Sequence, residues 1–144
     1  MALQPRNLFE DLSGTDKVPS RRYIRLSARP RPVKAIAGAP LLPMNTPMAQ
    51  NTVTGFWEPF VQGGADGTAV IRAFLLCDHQ SSAAGETVAE LVFAMEIHRN
   101  DINTAAIRAV LGGGATEAQL DTALGASLLR ELDFYIQGLV PPQA

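Results

Sequence analysis

Asp78-His79-Gln80-Ser81-Ser82 is the stretch of this chain whose side chains come nearest to a reaction, because it brings a carboxylate, an imidazole and two hydroxyls within five residues. Hydrolysis by an activated serine uses those residue types, with the imidazole taking the hydroxyl proton and the acid orienting the imidazole. Neighbours on an extended chain point to opposite sides, however, so closeness in sequence does not make a proton relay. A polar turn is the expected role, and a small hydrolase using Asp78, His79 and a serine is the rival kept for testing. The other histidine, His98, stands 19 positions on beside Arg99, with no HxxxH spacing to hold a metal. The single Cys77 excludes an internal disulfide and a CxxC site, and its place in an apolar stretch predicts core packing. Gly63-Gly64-Ala65-Asp66-Gly67 precedes an apolar segment and lacks a GKS or GKT ending, whereas a phosphate loop follows a strand and opens a helix. No catalytic, cofactor-binding or metal-binding residue is therefore assigned.

These residues are positioned by Gly55 to His98, a stretch of three extended apolar segments separated by two turn signals. Thr52 to Val61 supplies the first strand and the only tryptophan, Trp57, which needs a partner for its N–H if buried and otherwise suits an interface. Thr68 to Cys77, apolar apart from Arg72, predicts a strand buried on both faces. In Val88 to Ile97 the odd positions Ala89, Leu91, Phe93, Met95 and Ile97 are apolar while the even ones include Glu90 and Glu96, a period of two. Val88, Leu91, Val92 and Met95 also fit a helical stripe, so that alternative stays open.

The flanks differ in kind. Val33 to Asn51, with prolines at 40, 43 and 47, predicts an extended, ordered loop packed on the body, since proline forbids regular helix and confines strands to edges. Asn100 and Asp101 are candidate caps for a helix from Asn103 to Leu111, ended by Gly112-Gly113-Gly114. Thr116 with Gln119 is a capping-box signature for a second helix carrying Leu120, Leu124, Leu128 and Leu129 on one stripe. The last apolar run either continues that helix or forms an edge strand over Asp133 to Val140.

Charge divides the 144 residues in two. Residues 1–34 hold eight Lys/Arg against three acids, and residues 35–144 hold four against eleven. This predicts a flexible basic N-terminal arm on an acidic domain spanning 35–144. The arm's scattered apolar residues, broken by Gly14, Pro19, Pro30 and Pro32, bury too little surface to order it alone. Within it Arg22-Tyr23-Ile24-Arg25-Leu26 alternates enough to add as a strand to an open sheet edge. An arm-only contact with nucleic acid, the leading alternative, is expected to be nonspecific and salt-dependent. No apolar run is long enough to cross a bilayer and no signal-type stretch opens the chain, which predicts a protein made and kept in a cytoplasm.

Four segments resemble the lambda-type bacteriophage head decoration proteins. Ala39-Pro40-Leu41-Leu42-Pro43-Met44 is similar to that family's proline- and methionine-containing lead-in, and Gly55-Phe56-Trp57-Glu58 to a strand ending in an aromatic and an acid. Ala65-Asp66-Gly67-Thr68-Ala69-Val70-Ile71, continuing to Cys77-Asp78, is similar to its DG-x-A-V turn and the strand after it; Leu91 to Ile102 is similar to the strand and short acidic segment that come next. The resemblance spans about residues 39–110. It departs at the arm, which is longer and more basic, and after Gly112, which is more helical.

The resemblance implies a mainly β (α+β) fold, a small β-sandwich or β-tulip-like domain with short C-terminal helices and an extended N-terminal arm. It implies a homotrimer without enzyme activity or cofactor. The trimer would sit on the virion exterior at threefold and quasi-threefold positions of the expanded head and brace it against packaged DNA. The implied partner is the major capsid protein, with no membrane and no specific nucleic acid. The arm would be loose in isolation and add strand-like to the shell. On this reading Arg21, Arg22, Tyr23, Ile24, Arg25 and Leu26 contact the capsid, while Pro43, Trp57, Asp66 and Gly67 serve the core, the central turn or the trimer contact.

Overall fold

The structure, a computed structural model, describes residues 21–128 and 133–139. Its strands are β1 (Arg21–Val33), β2 (Leu41–Leu42), β3 (Pro47–Gln50), β4 (Trp57–Pro59), β5 (Ala73–Leu75), β6 (His79–Gln80), β7 (Thr87–His98) and β8 (Asp133–Gln137). Between β7 and β8 come α1 (Arg99–Ile102), α2 (Ala105–Val110) and α3 (Glu117–Leu128). The fold is mainly β.

β7 is the hub. Its period-two pattern forms a strand of 12 residues rather than the alternative helix. The alternation survives at Val88 and Glu90, which are exposed, against Ala89 and Leu91, which are buried. It stops at Val92 and Ala94, both buried, because the helices cover that face. The main sheet runs β1-β4-β3-β5-β7-β8, and β1 also pairs antiparallel with β7, so five strands close on themselves. β8 lies parallel on β7, from Ala94↔Asp133 to His98↔Gln137. The last apolar run thus ends in an edge strand.

Closing the sheet separates two cores. Val33, Met48, Trp57, Ala73, Leu75, Ala89 and Leu91 come from all five closed strands and pack with Leu42. Phe74 and Val92, of opposite parity on β5 and β7, pack outward with Ile97 against Ile102, Ile107, Leu111, Leu120 and Leu124 of the helical segment. Opposite parity putting side chains on opposite faces is the strand period at work. Thr116 and Gln119 form the expected capping box at the start of α3: the Thr116 amide donates to Gln119 Oε1 (3.0 Å) and the Gln119 amide to Thr116 Oγ1 (3.3 Å). Thr116→Ala is expected to cost about 1 kcal/mol, read from urea unfolding midpoints.

Several boundaries differ from the sequence reading. The basic arm does not end at residue 34 as a separate tail: Arg21–Val33 is β1, paired with β7 from Ser27↔Ala94 to Val33↔Thr87, and Val33 is fully buried. What scattered apolar residues cannot do alone, a long preformed partner strand does for them. The proline-rich stretch is not only a loop, because β3 lies inside the sheet between β4 and β5. Pro47 is tolerated there as the first residue of its strand, where a missing N–H costs the ladder least. The first and middle strands shrink to three residues each. β4 is cut short by a turn in which Asn51 Oδ1 accepts from the amides of Val53 and Thr54 (2.9 and 3.0 Å). Cys77 is exposed, because β5 ends at Leu75 and the chain bends before β6. Thr104, rather than Asn100 or Asp101, caps α2 by accepting from the Ile107 amide.

Candidate functional site

The residues with chemical potential are held apart. Asp78 Oδ1 accepts from the Met44 amide (2.7 Å), and His79 Nε2 lies 2.8 Å from Thr87 Oγ1. Ser81 Oγ donates to the Pro40 carbonyl and Ser82 Oγ to the Ala84 carbonyl (2.5 Å). Asp78 and Ser81 tie this segment to the β2 side, His79 to β7 and Ser82 to its own loop, and partial burial holds the His79 imidazole below its ordinary value. His98 ends β7 and caps α1, with Nδ1 accepting from the Asn100 amide (3.1 Å).

Asp66 and Gly67 make a tight turn with two consecutive left-handed residues, φ 55° and 85°. The Thr68 amide closes it on the Ala65 carbonyl (3.1 Å), and Thr68 Oγ1 donates to the same oxygen (2.7 Å). Two positive φ angles at the central positions are what an Asp-Gly hairpin turn requires. Thr52 bonds this turn twice through the Asp66 carbonyl, by its amide (2.7 Å) and its hydroxyl (3.1 Å). The turn therefore anchors the β3–β4 loop as well as the approach to β5. Pro43 forms a second turn, its carbonyl accepting from the Thr46 amide (3.2 Å) and hydroxyl (2.6 Å), with Asn45 at φ 71°.

Trp57 is a core residue of this chain, 4% exposed, with its ring edge-on to Phe93 at 5.5 Å. Its indole nitrogen has no acceptor among the described residues. Arg31 places its guanidinium over the Phe93 ring, 5.3 Å from its centroid. Lys34 approaches Glu58 at 3.6 Å, close enough for an ion pair but too long for a hydrogen bond. Basic residues of the supposed arm thus stitch β1 to β4 and β7.

The side chains of Arg21, Arg22, Tyr23, Ile24, Arg25 and Leu26 lie outside the described residues, but their backbone belongs to β1. The pairing moves from Arg22↔Glu96 to Ser27↔Ala94, so β1 advances five residues while β7 advances two. Further along, among the described residues, β1 pairs with β4 at Val33↔Trp57 alone. Pro30 and Pro32 on this stretch remove two N–H donors, which guards a strand edge against uncontrolled pairing.

A polar cluster that sequence inspection did not find fixes the helices. Arg99 donates to Asp121 through Nε (3.0 Å) and Nη2 (2.7 Å) and to Glu117 through Nη2 (2.5 Å). Asn103 Nδ2 donates to Asp121 Oδ1 (2.9 Å), and Arg108 Nη1 donates to Asn103 Oδ1 (2.6 Å). The signal available in sequence was the pair of acids one turn apart on α3, Glu117 and Asp121, which present two carboxylates to one cation. Burial pushes the Asp121 carboxyl up, but bonds from Arg99 and Asn103 and the charges of Arg99 and Arg108 outweigh it, leaving the group below its ordinary value. The same bonds, led by those to Asp121, hold Arg99 protonated. A carboxylate depressed in the folded state stabilises the fold at pH values above its unfolded value and loses that contribution as pH falls through the folded one. Urea unfolding should therefore show stability declining as pH falls below the ordinary aspartate value, with a shallower decline in Asp121→Asn.

Between α3 and the segment from Phe60 to Ala69, residues Phe60, Gln62, Gly63, Ala69, Gln119, Thr122, Ala123 and Ala126 line an open, mostly apolar groove of about 300 Å³. Among the described residues the large apolar side chains left exposed are Leu41, Met44, Val53 and Val88, at 54, 45, 75 and 68%. Leu41 and Met44 flank Pro43, so the β2 ribbon presents an apolar surface on which another protein surface could be buried. No described helix is long and apolar enough to cross a membrane. Comparison with protein-family models and with curated proteins finds no match for this chain.

Proposed function

We propose that this chain is a capsid decoration protein of the lambda type, a small β-tulip-like domain. It binds as a homotrimer to the outside of an expanded phage head, at threefold and quasi-threefold positions. Its partner is the major capsid protein, and its action is mechanical, bracing the shell against packaged DNA.

The observation that carries this reading is the mutual packing of the segments on which the resemblance rests. Ala39–Met44 is bonded to the strand-end segment 78–81 through Ala39, Pro40 and Met44. The Asp66-Gly67 turn is bonded to Thr52 at the mouth of the Trp57 strand. Leu91, where the fourth segment starts, pairs with Leu75 beyond that turn. Short motifs of common residues gain weight when they assemble into one structural unit.

Two further features support it. β1 carries several basic residues and, among the described residues, pairs with β4 at Val33↔Trp57 alone, so its edge away from β7 suits capture of an extended partner segment. The exposed Leu41 and Met44 beside Pro43 suit self-association, which makes Pro43 the trimer-side residue of the four named and Trp57 the core one. Three weak contacts carried on one trimer act together through effective concentration, so no single contact need be tight.

Co-sedimentation with expanded heads tests the reading. The unaltered protein should pellet with heads, and Arg21→Glu, Arg22→Glu, Arg25→Glu in one chain should weaken binding by about tenfold or more, because avidity multiplies each loss. Tight, salt-sensitive binding to duplex DNA together with indifference to heads would overturn it.

A further inference from the structure

The β2–β6 ribbon is closed by bonds within itself. Leu41 pairs with Gln80 and Leu42 with His79, the Met44 amide donates to Asp78 Oδ1, Gln80 Nε2 donates to the Ala39 carbonyl (2.6 Å) and the Ser81 amide to the Pro40 carbonyl (3.2 Å). Other contacts attach the ribbon to the main sheet. The Leu42 side chain is buried in the interior core, Asn45 and Thr46 exchange main-chain bonds with Leu75 (3.0 and 3.1 Å), and His79 Nε2 meets Thr87 Oγ1 at 2.8 Å. Of these ties, the one from His79 to the first residue of β7 is made by a group that titrates.

The surroundings of that ring offer a positive charge no counterion. β2 brings Leu41 and Leu42; the charged neighbours are Asp78 on the ribbon, Glu86 before Thr87, and Lys34 after Val33, which pairs with Thr87. The Asp78 carboxylate is held by the Met44 amide and Lys34 approaches Glu58, and among the described residues none of these charges is ion-paired with the ring. Burial alone accounts for the lowered value of the imidazole. A protonated ring carries two N–H donors and a charge that partial burial penalises, so turning toward water relieves it and gives up Thr87.

We propose that His79 is a pH-sensitive latch: neutral, it ties the β2–β6 ribbon to β7 through Thr87 and holds the apolar surface of Leu41 and Met44 in place; protonated, it frees the ribbon to open locally. The link from latch to self-association rests on the reading above that this surface serves it. A histidine whose folded value lies below its unfolded one binds fewer protons when folded. The attachment is therefore fully present above about pH 6.5 and is lost as pH falls from there through the folded value. Leu42 and the bonds to Leu75 do not titrate, so the ribbon loosens without the sheet unfolding.

Hydrogen exchange on the free, unaltered full-length chain tests the latch at about pH 7.5 and about pH 5.5, with rates corrected for intrinsic exchange. Protection of the Met44 and Ser81 amides should fall about threefold or more at the lower pH, while that of Ala89 and Leu91 on β7 holds. His79→Gln, which keeps a polar tip but does not titrate, should remove the ribbon-specific loss; Thr87→Val should lower ribbon protection at both pH values. Ribbon protection that is independent of pH, or that falls equally in His79→Gln, would overturn the latch. Sedimentation equilibrium then reads the consequence: self-association should weaken several-fold at the lower pH in the unaltered chain and not in His79→Gln. A chain that stays monomeric at both pH values and ignores heads, with the exchange contrast present, would overturn the capsid reading and leave the latch standing.

Discussion

Removal of residues 1–34 is expected to abolish cooperative folding, so that the truncated chain shows no thermal transition by circular dichroism. The charge pattern alone invites the opposite expectation, because a boundary at Lys34 separates a basic segment from an acidic one. The closed sheet places its seam elsewhere. Val33 belongs to the interior core and pairs with both Trp57 and Thr87, while the Lys34 amide donates to the Trp57 carbonyl (2.9 Å). Without β1, one side of β7 and the Trp57–Phe93 pair lose their cover together. Buried aromatic and aliphatic side chains are worth about 1.5–3 kcal/mol each, so uncovering several consumes most of the roughly 5–15 kcal/mol that holds a domain of this size. A truncated chain that still melts cooperatively near the temperature of the intact protein would refute this.

Gly67→Val is expected to cost about 2–4 kcal/mol, combining backbone strain with overpacking. At φ 85° a β-branched residue is strained whatever the surrounding space. The space is also absent: a Cβ at this position would stand 2.8 Å from the Gln50 carbonyl oxygen and 2.8 Å from Thr52 Cγ2. The same change at Gly85, also at positive φ but with nothing within 4 Å, pays only for the strain and should cost less. Denaturant midpoints of the two variants separate the terms. Equal losses would show that the close approach of the Asp66-Gly67 turn to the β3–β4 loop contributes nothing.

The sequence was most legible where one local rule decides the outcome. The strand over Val88 to Ile97, the Thr116–Gln119 box and the Asp66-Gly67 turn are each specified by a few neighbouring residues, and each formed, although the alternation of burial in the strand stops at Val92. It was least legible where distant partners decide. β3 contains Pro47 and too few residues to declare itself, yet β4 and β5 on either side make it an internal strand. Cys77 looked buried because four apolar residues, Ala73 to Leu76, precede it, but β5 stops at Leu75 and the chain turns outward. The basic segment read as a flexible arm because the partners of its last residues, Phe93 for Arg31 and Glu58 for Lys34, lie far along the chain. Of the candidate site, the turn residues could be placed from sequence; the interruption in the pairing of β1 with β7 between Arg22 and Ser27 is a matter of register, which no local pattern encodes.

The measurement closest to the central claim is the rupture temperature of DNA-filled heads with and without the purified protein, followed by DNA release. If this chain braces a shell, saturating protein should raise that temperature, with bound copies in multiples of three at each site. An unchanged rupture temperature at saturating protein would contradict a bracing role.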